Sequence, residues 1–220
     1  MDYKLIKENV DKNPFLGLFL RASEKHLLAP PRLPKHYVDR LAEALGVAPV
    51  RFFVDESPYL GLFVTLNSKG CVLPKMAGGR ERSILKEAGL NVVVLSTPHA
   101  PGNTILCNDH AALLSPGISK KDVAEITDAL GVEVHQQPFA GRPAFAATSV
   151  ATNKGVYTYN ELSEVEVKFL EKIFGVPAMI GTSNFGVPFN SLSIIANSRG
   201  AIIGDHTTGY EAQRIYEALA

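Results

Sequence analysis

The stretch NSKGCVLP at residues 67–74 decides the fold, because closely related stretches recur along the chain. It comes shortly after the apolar run LGLF at 60–63, and LGLF also occurs at 16–19. TNKGVYTY at 152–159 and NSRGAIIG at 197–204 have the same order of polar turn and apolar run. A pattern that returns at regular intervals is typical of a fold built from repeated units.

The spacing of the glycines in these turns gives the length of the repeat. Gly70, Gly155 and Gly200 close three of the turns, and their spacings are 85 and 45 residues. The first spacing is about twice the repeat, so one further unit is expected inside it, and NTILCNDHAALLSP at 103–116 has the pattern. With PFLGLFLRASEKHLLAP at 14–30, the sequence contains five copies at a period of about 44 residues.

Each copy contains the same kinds of predicted element. An apolar strand, a turn rich in Asn, Ser or Asp and a second strand predict a hairpin, and a helix follows that ends at a glycine. The predicted pairs of helix-capping residues are Ser119 with Asp122, Ser163 with Glu166, and Thr208 with Glu211. A further strand is predicted after the glycine, in APVRFFV (48–54), NVVVLS (91–96), VEVHQQ (132–137) and PAMIG (177–181).

The fifth copy lacks its last strand, because the chain ends at EALA. We therefore predict that DYKLIKEN at 2–9 supplies this strand and closes a ring, which leaves no open sheet edge. The alternative is that residues 1–12 form a loose terminus. The prediction is one domain over 1–220, with units at about 13–56, 57–100, 101–140, 141–185, and 186–220 together with 1–12.

A small residue is predicted at one equivalent position of every first strand. Aligned by their turns, the copies place there Gly17, Gly61, Gly102, Ala146 and Ser193. Five small residues at one level predict strands that crowd around a central axis. The alternative is that strand glycines accommodate β-bulges.

Composition limits the classes of function. Lys and Arg number 22 and Asp and Glu number 22, so the net charge is zero, and a protein that holds nucleic acid by bulk charge is not expected. Two cysteines do not make a disulfide framework. The charged N-terminus has no apolar signal segment, and no apolar stretch has the length of a membrane span. We expect a cytoplasmic protein with no membrane contact.

Five units of two strands, a helix and a strand describe a pentein, the five-fold pseudosymmetric α/β propeller. The chain also resembles the archaeal and eukaryotic translation initiation factor 6 proteins over essentially its whole length. The residues that carry this resemblance are PGNTILCNDHAALLSP (101–116), MIGTSNFGVPFNSLSIIANSRGAIIGDHTTGYE (179–211), and the LGLF segments with LLAP and NSKGCVLP. Because the chain ends soon after its last predicted helix, it is similar to the archaeal form.

The resemblance implies a non-enzymatic factor that binds the large ribosomal subunit on its intersubunit face. There it prevents joining of the small subunit by occupying space, and it accompanies subunit biogenesis. The implied partner is a ribosomal protein near the sarcin–ricin loop, with rRNA as an additional contact, and the implied contact residues are Gly61, Leu62, Gly102 and Asn103. The Asn103 amide suits capture of a backbone or helix end, although it also suits a local turn bond. A monomer without cofactor is expected.

Three other features bear on catalysis, on metal binding and on contact with rRNA. Pentein enzymes modify guanidines with a Cys nucleophile, so a hydrolase or transferase based on Cys107 and its neighbour His110 is the alternative function. The spacing favours a plain hairpin there, with Asp109 and His110 in its turn. The six histidines lack the spacing of metal ligands, so no metal is expected. In KMAGGRERSILK, the cations Lys75, Arg80, Arg82 and Lys86 predict a local patch for rRNA phosphates.

Overall fold

The computed structural model describes residues 3–220 as five three-stranded sheets, each accompanied by one helix of at least two turns. The strands are β1 Lys4–Glu8, β2 Arg21–Ala22, β3 His26–Ala29, β4 Ala48–Arg51, β5 Thr65–Leu66, β6 Gly70–Leu73, β7 Asn91–Val94, β8 Ile105–Cys107, β9 Ala111–Leu114, β10 Glu133–Gln136, β11 Val150–Ala151, β12 Val156–Thr158, β13 Ala178–Ile180, β14 Ile194–Asn197 and β15 Gly200–Gly204. The α-helices are α1 Lys35–Leu45, α2 Leu60–Phe63, α3 Gly79–Glu87, α4 Pro101–Thr104, α5 Lys120–Leu130, α6 Glu164–Phe174, α7 Asn190–Ser193 and α8 Gly209–Leu219, and two 3-10 turns span Leu16–Leu18 and Phe145–Thr148.

All five sheets have one topology. The middle strand pairs antiparallel with the strand before it in its hairpin and parallel with a third strand at the other edge. Four sheets take that third strand from beyond the helix of the same unit, as β2–β3–β4 and β5–β6–β7 do. The predicted order of strand, strand, helix and strand is confirmed, and the five-fold arrangement is that of the predicted pentein.

The fifth sheet takes its third strand from the other end of the chain. Strand β1 pairs in parallel with β15, from Lys4 opposite Gly200 to Glu8 opposite Gly204. The predicted closure by the N-terminal strand is therefore confirmed over Lys4–Glu8. The predicted segment starts at residue 2, which lies outside the described residues.

The long helices fill the spaces between neighbouring sheets. On α5, Ile126, Ala129 and Leu130 pack against Val72 and Val93 of the preceding sheet. The predicted capping boxes of α6 and α8 are present, with Ser163 and Thr208 at their N-termini.

The cap of α5 differs from the prediction. The Ser119 hydroxyl accepts a hydrogen bond from the Asp122 amide at 3.0 Å, but the Asp122 carboxylate does not return to Ser119. It accepts instead from the amide and hydroxyl of Ser96 and from the Thr97 hydroxyl. The buried carboxylate therefore joins α5 to the loop after β7.

The segments before the first strands form single helical turns, which corrects the strand prediction for LGLF. These turns are Leu16–Leu18, α2, α4, Phe145–Thr148 and α7, and a strand of two to four residues begins within three residues of the end of each. The amide of the third residue bonds the carbonyl of the residue before the turn in all five, as Leu62 does with Tyr59 at 3.2 Å. Four apolar residues in a row have no strand periodicity that would exclude a turn of helix.

The prediction for Ser193 is wrong. In every unit the small residue is the second residue of the helical turn, six positions before the hairpin-turn residue, and in the fifth unit that residue is Ser191. Ser193 is the last residue of α7, and its buried hydroxyl accepts from Asn184 Nδ2 at 2.9 Å.

The hairpin turns are held by one repeated set of hydrogen bonds. Asn67 Oδ1 accepts from the amides of Lys69 and Gly70, and Asn67 Nδ2 donates to Leu130 O at the end of the next unit's helix, at 2.9 Å. Asn108 and Asn197 make the equivalent bonds. The buried turn side chains therefore fasten one unit to the next.

Candidate partner-binding site

The five one-turn helices meet around the pseudosymmetry axis and form a surface that we call the axial rosette. It consists of Leu16–Leu18, Leu60–Phe63, Pro101–Thr104, Phe145–Thr148 and Asn190–Ser193. The first strands run from the rosette to the hairpin turns, so the rosette and the turns lie at opposite ends of these strands.

Backbones in the rosette approach closely at the glycines. A Cβ atom added at Gly102 would lie 2.0 Å from Gly61 O, one at Gly61 1.6 Å from Gly17 O, and one at Gly17 1.9 Å from Ser191 O. Each contact joins one unit to a neighbouring unit. A side chain at any of these three positions needs the helical turn to move. The sequence-predicted residues Gly61, Leu62, Gly102 and Asn103 therefore lie on two adjoining turns of the rosette.

Arg21 crosses the axis just below the rosette. Its guanidinium donates to Gly61 O at 2.6 and 2.9 Å, to Gly102 O at 2.9 Å and to the hydroxyl and carbonyl of Ser191. Burial lowers the pKa of Arg21 to about 10, and the side chain remains charged at neutral pH. One cation therefore ties together the carbonyl groups of three units.

The outer face of the rosette is largely apolar. The third residues of the turns are Leu18, Leu62, Asn103, Ala147 and Leu192, and all except Ala147 are partly exposed. Tyr59 and Phe189, which precede two of the turns, are each 43% exposed. Apolar surface of this kind, set on a rigid framework, is typical of protein-binding sites.

An aromatic residue in a rare backbone conformation adjoins this face. Phe185 has φ of +64° and is 83% exposed. The Glu211 carboxylate holds its loop in place by accepting from the amides of Phe185 and Gly186, at 3.1 and 2.8 Å. Bulky residues rarely adopt positive φ, but the same turn occurs at Asp11–Lys12 and Asp55–Glu56, so the conformation belongs to the repeated fold and only the exposed ring is particular to this unit.

Asn103 is the polar exception among the third residues. Its Oδ1 is buried, and the side chain makes no hydrogen bond with any of residues 3–220. Ala100 O accepts from the backbone amide of Asn103 at 2.9 Å and from the Thr104 hydroxyl at 3.0 Å, and the Asn103 side chain takes no part. The local turn bond that the sequence left open is therefore not made by this side chain.

Cys107 has neither the exposure nor the lowered pKa of a reactive nucleophile. It is 8% exposed, its Sγ bonds Leu66 O at 3.3 Å, and burial raises its pKa to about 11. His110 lies in the hairpin turn, where Nδ1 contacts Phe174 O at 3.1 Å. A thiol with a raised pKa is protonated at neutral pH, so this geometry gives no support to a guanidine-modifying reaction.

The four predicted cations do not share one surface. Arg82 and Lys86 lie on α3 beside β7 and line a groove with Glu125 and Asp128. Arg80 lines a separate hollow with Arg51, Asp55 and Glu56, and Lys75 precedes the helix. The expected contact with rRNA phosphates stays a prediction.

Residues 3–220 contain no group of three or more His, Cys, Asp or Glu side chains placed to hold a metal ion. No helix among them is long and apolar enough to cross a membrane.

Sequence reasoning missed most of the rosette. Leu18, Leu192 and Phe189 were not singled out, and neither was Arg21. A signal existed for the leucines, because they recur at the third position once the fifth unit is aligned on Ser191. The sequence held no comparable signal for Arg21, whose partners are backbone carbonyls of distant units.

Five such units around a glycine-lined axis define a pentein. The chain belongs to the eIF-6 family, whose sequence model matches residues 5–218.

Curated relatives of the chain carry the name translation initiation factor 6. The protein from Pyrococcus horikoshii is 36% identical over 216 residues and that from Aeropyrum pernix 40% identical over 213, covering 95% and 94% of this chain and 95% and 91% of their own lengths. That from Methanosarcina mazei is 35% identical over 205 residues, with 93% of each chain covered.

Two solved enzyme structures have a more distant likeness. The N-terminal domain of ArgZ, an arginine dihydrolase of cyanobacteria, has a TM-score of 0.46 and 14% identity over 72% of this chain and 67% of its own. DDAH from Pseudomonas aeruginosa has a TM-score of 0.42 and 13% identity over 93% and 74%. These likenesses concern the fold alone.

Proposed function

We propose that the protein binds the large ribosomal subunit through the axial rosette, on the face that the small subunit would meet. Occupation of that face then prevents the subunits from joining, without a chemical reaction. The same contact serves during large-subunit biogenesis, and the protein acts as a cytoplasmic monomer. Membership of a family whose relatives are named translation initiation factor 6 supports a role in initiation.

The observation that carries the proposal is the position of the partly exposed Asn103 side chain in an apolar surface. Leu18, Leu62 and Leu192 surround the axis at equivalent positions, and Tyr59 and Phe189 stand beside them. A central polar group among apolar and aromatic side chains is the usual composition of a protein interface. A ribosomal protein suits this surface better than naked rRNA does, because the rosette's partly exposed side chains carry no charge.

The test is sedimentation through sucrose gradients with archaeal large subunits, small subunits and both together. We expect the protein to migrate with the large subunit alone and to reduce the amount of joined ribosomes. Asn103→Arg should weaken this binding at least tenfold, because it places an unpaired charge in an apolar contact. Its melting temperature should stay close to that of the unmodified protein.

Asn160→Arg is the matched control, since Asn160 is an exposed asparagine in the loop after β12. It should sediment as the unmodified protein does. If Asn103→Arg also sediments unchanged, the rosette is not the contact surface. If the unmodified protein stays at the top of every gradient at low salt, the anti-association proposal is wrong.

A further inference from the structure

The expectation that closure leaves no open sheet edge is wrong, because the five sheets are separate and the outer edge of the second sheet has free backbone groups. At the two ends of β7, the amide of Asn91 donates to Lys69 O and the amide of Leu95 donates to Leu73 O, each at 3.0 Å. Because alternate residues of a parallel strand face opposite sides, Val92 and Val94 direct their N–H and C=O groups away from β6. No hydrogen bond from residues 3–220 reaches these outward groups.

In two other sheets, the outer strand cannot pair fully with an added strand. In β4 the position equivalent to Val92 is Pro49, which has no N–H to offer. In β13 the Ala178 amide donates to Glu171 Oε1 at 3.2 Å, and Arg214 donates to Ile180 O at 3.0 Å. Both devices protect sheet edges from unwanted pairing. Strand β7 has neither.

The free edge of β7 lies in a groove of about 820 Å3 between two helices of opposite charge. Arg82 and Lys86, one turn apart on α3, are exposed along one wall. Glu125 and Asp128 of α5 are exposed along the other.

The two helices cover opposite faces of the sheet. Val92 and Val94 pack on the α3 side, in the cluster that contains Leu85. Val93 packs on the α5 side, against Ile126. A strand added beside β7 would therefore present alternate side chains to the basic wall and to the acidic wall.

We propose that β7 accepts an extended segment of a partner protein as a fourth strand of its sheet. Backbone hydrogen bonds to Val92 and Val94 supply the affinity, and the two walls supply the selectivity. The segment carries acidic side chains toward Arg82 and Lys86 and basic side chains toward Glu125. Its sequence thus alternates acid and base. This surface lies on the outer edge of the ring, away from the rosette, and is independent of subunit binding.

A second copy of the chain fits this edge poorly. Two β7 strands paired antiparallel around a two-fold axis keep the same face of both sheets on the same side. Each α3 would then lie beside the other α3, so that Arg82 and Lys86 meet their own copies. Like charges directly opposite are destabilising, and a separate peptide of alternating charge avoids this contact.

The test is titration of the ¹⁵N-labelled protein with a blocked hexapeptide of order Glu-Lys-Glu-Lys-Glu-Lys, followed by NMR. We expect saturable shifts of the Val92 and Val94 amide signals. A hexapeptide with three Glu followed by three Lys has the same composition but cannot match the walls, and it should bind at least about fivefold more weakly.

Val92→Pro removes one outward N–H and should weaken binding of the alternating peptide at least about fivefold. Pro49 shows that this fold accepts proline at the equivalent place, and a thermal melt verifies folding. Val134→Pro is the matched control, because Val134 has the same register in the outer strand β10. It should bind the alternating peptide as the unmodified protein does.

A second variant, Arg82→Glu with Lys86→Glu, changes only exposed side chains and should also weaken binding of the alternating peptide. The proposal is overturned if the alternating peptide causes no shifts or binds no better than the block peptide. It is also overturned if oligouridylate binds the basic wall unaffected by Val92→Pro, or if the protein dimerises through β7. If the protein does not bind the large ribosomal subunit but does bind the alternating peptide, only the rosette proposal is wrong.

Discussion

Asparagine side chains at the two ends of the first strands differ in their hydrogen bonding. At the hairpin end, Asn197 is 1% exposed and uses both atoms of its amide, accepting from two turn amides and donating to Ser23 O and Leu45 O. At the rosette end, Asn103 makes no side-chain hydrogen bond with the described residues. The comparison separates a polar residue that holds the ring together from one whose side chain contributes no hydrogen bond to the fold.

The glycines of the rosette should give the largest effect on stability. Gly61→Ala would bring a Cβ to 1.6 Å from Gly17 O, a backbone atom that cannot turn aside as a side chain can. We expect a loss of at least about 4 kcal/mol in the free energy of unfolding, or failure to fold. Urea denaturation measures the loss.

Gly79→Ala is the matched control for this change. No atom of residues 3–220 lies within 4 Å of a Cβ added at Gly79, the first residue of α3, outside its chain neighbours and its own helix. Alanine there should leave the free energy of unfolding unchanged or raise it slightly, because it favours helix. If Gly61→Ala unfolds at the same urea concentration as Gly79→Ala, the turns of the rosette are not held as closely as described.

A substitution at the hairpin end should have the next largest effect on the free energy of unfolding. Asn197→Ala removes an amide that joins the fifth and first units and leaves four backbone groups, three of them buried, without this partner. We expect a loss of about 3 kcal/mol in the free energy of unfolding. Urea denaturation and the melting temperature report it.

Ser23→Ala provides the comparison within the same kind of turn. The Ser23 hydroxyl accepts from the amides of Lys25 and His26 at 3.3 and 3.2 Å, and it makes no bond to another unit. Its removal should cost about 1 kcal/mol. Equal losses for the two variants would mean that the bonds between units contribute nothing beyond the turn itself.

The hairpin end could be predicted from the sequence far better than the rosette end. Local chemistry decides a turn: Asn67, Asn108 and Asn197 bond amides two and three residues ahead, so the sequence alone identifies them. The helix caps Ser163 and Thr208 are local in the same way. The pairing of the N-terminal strand was also predictable, because the fifth of the five repeats lacked its last strand.

The rosette depends on contacts between units, which sequence patterns do not contain. LGLF is too short to distinguish a strand from a turn of helix, and only the approach of Gly61 to Gly17 O requires the turn. The guanidinium of Arg21 has backbone carbonyls of three units as its partners, and a carbonyl has no sequence signature. The repeat predicted that small residues line the axis, but it did not predict which polar group would remain unpaired there.

Asn103 should give the smallest effect on stability, which completes the contrast with Asn197. Its buried Oδ1 accepts no hydrogen bond from the described part of the chain, and a buried acceptor without a partner costs about 1–3 kcal/mol. Asn103→Leu replaces it with the residue found at the equivalent positions 18, 62 and 192. We expect the free energy of unfolding to stay within about 0.5 kcal/mol of the unmodified value or to rise. Urea denaturation beside Asn197→Ala measures both amides on one scale. A loss of about 2 kcal/mol or more would mean that the Asn103 amide is satisfied within the folded protein, for instance by a bound water molecule. The amide would then belong with the structural asparagines of the hairpin end, and the case for Asn103 as a contact residue would rest on its position alone.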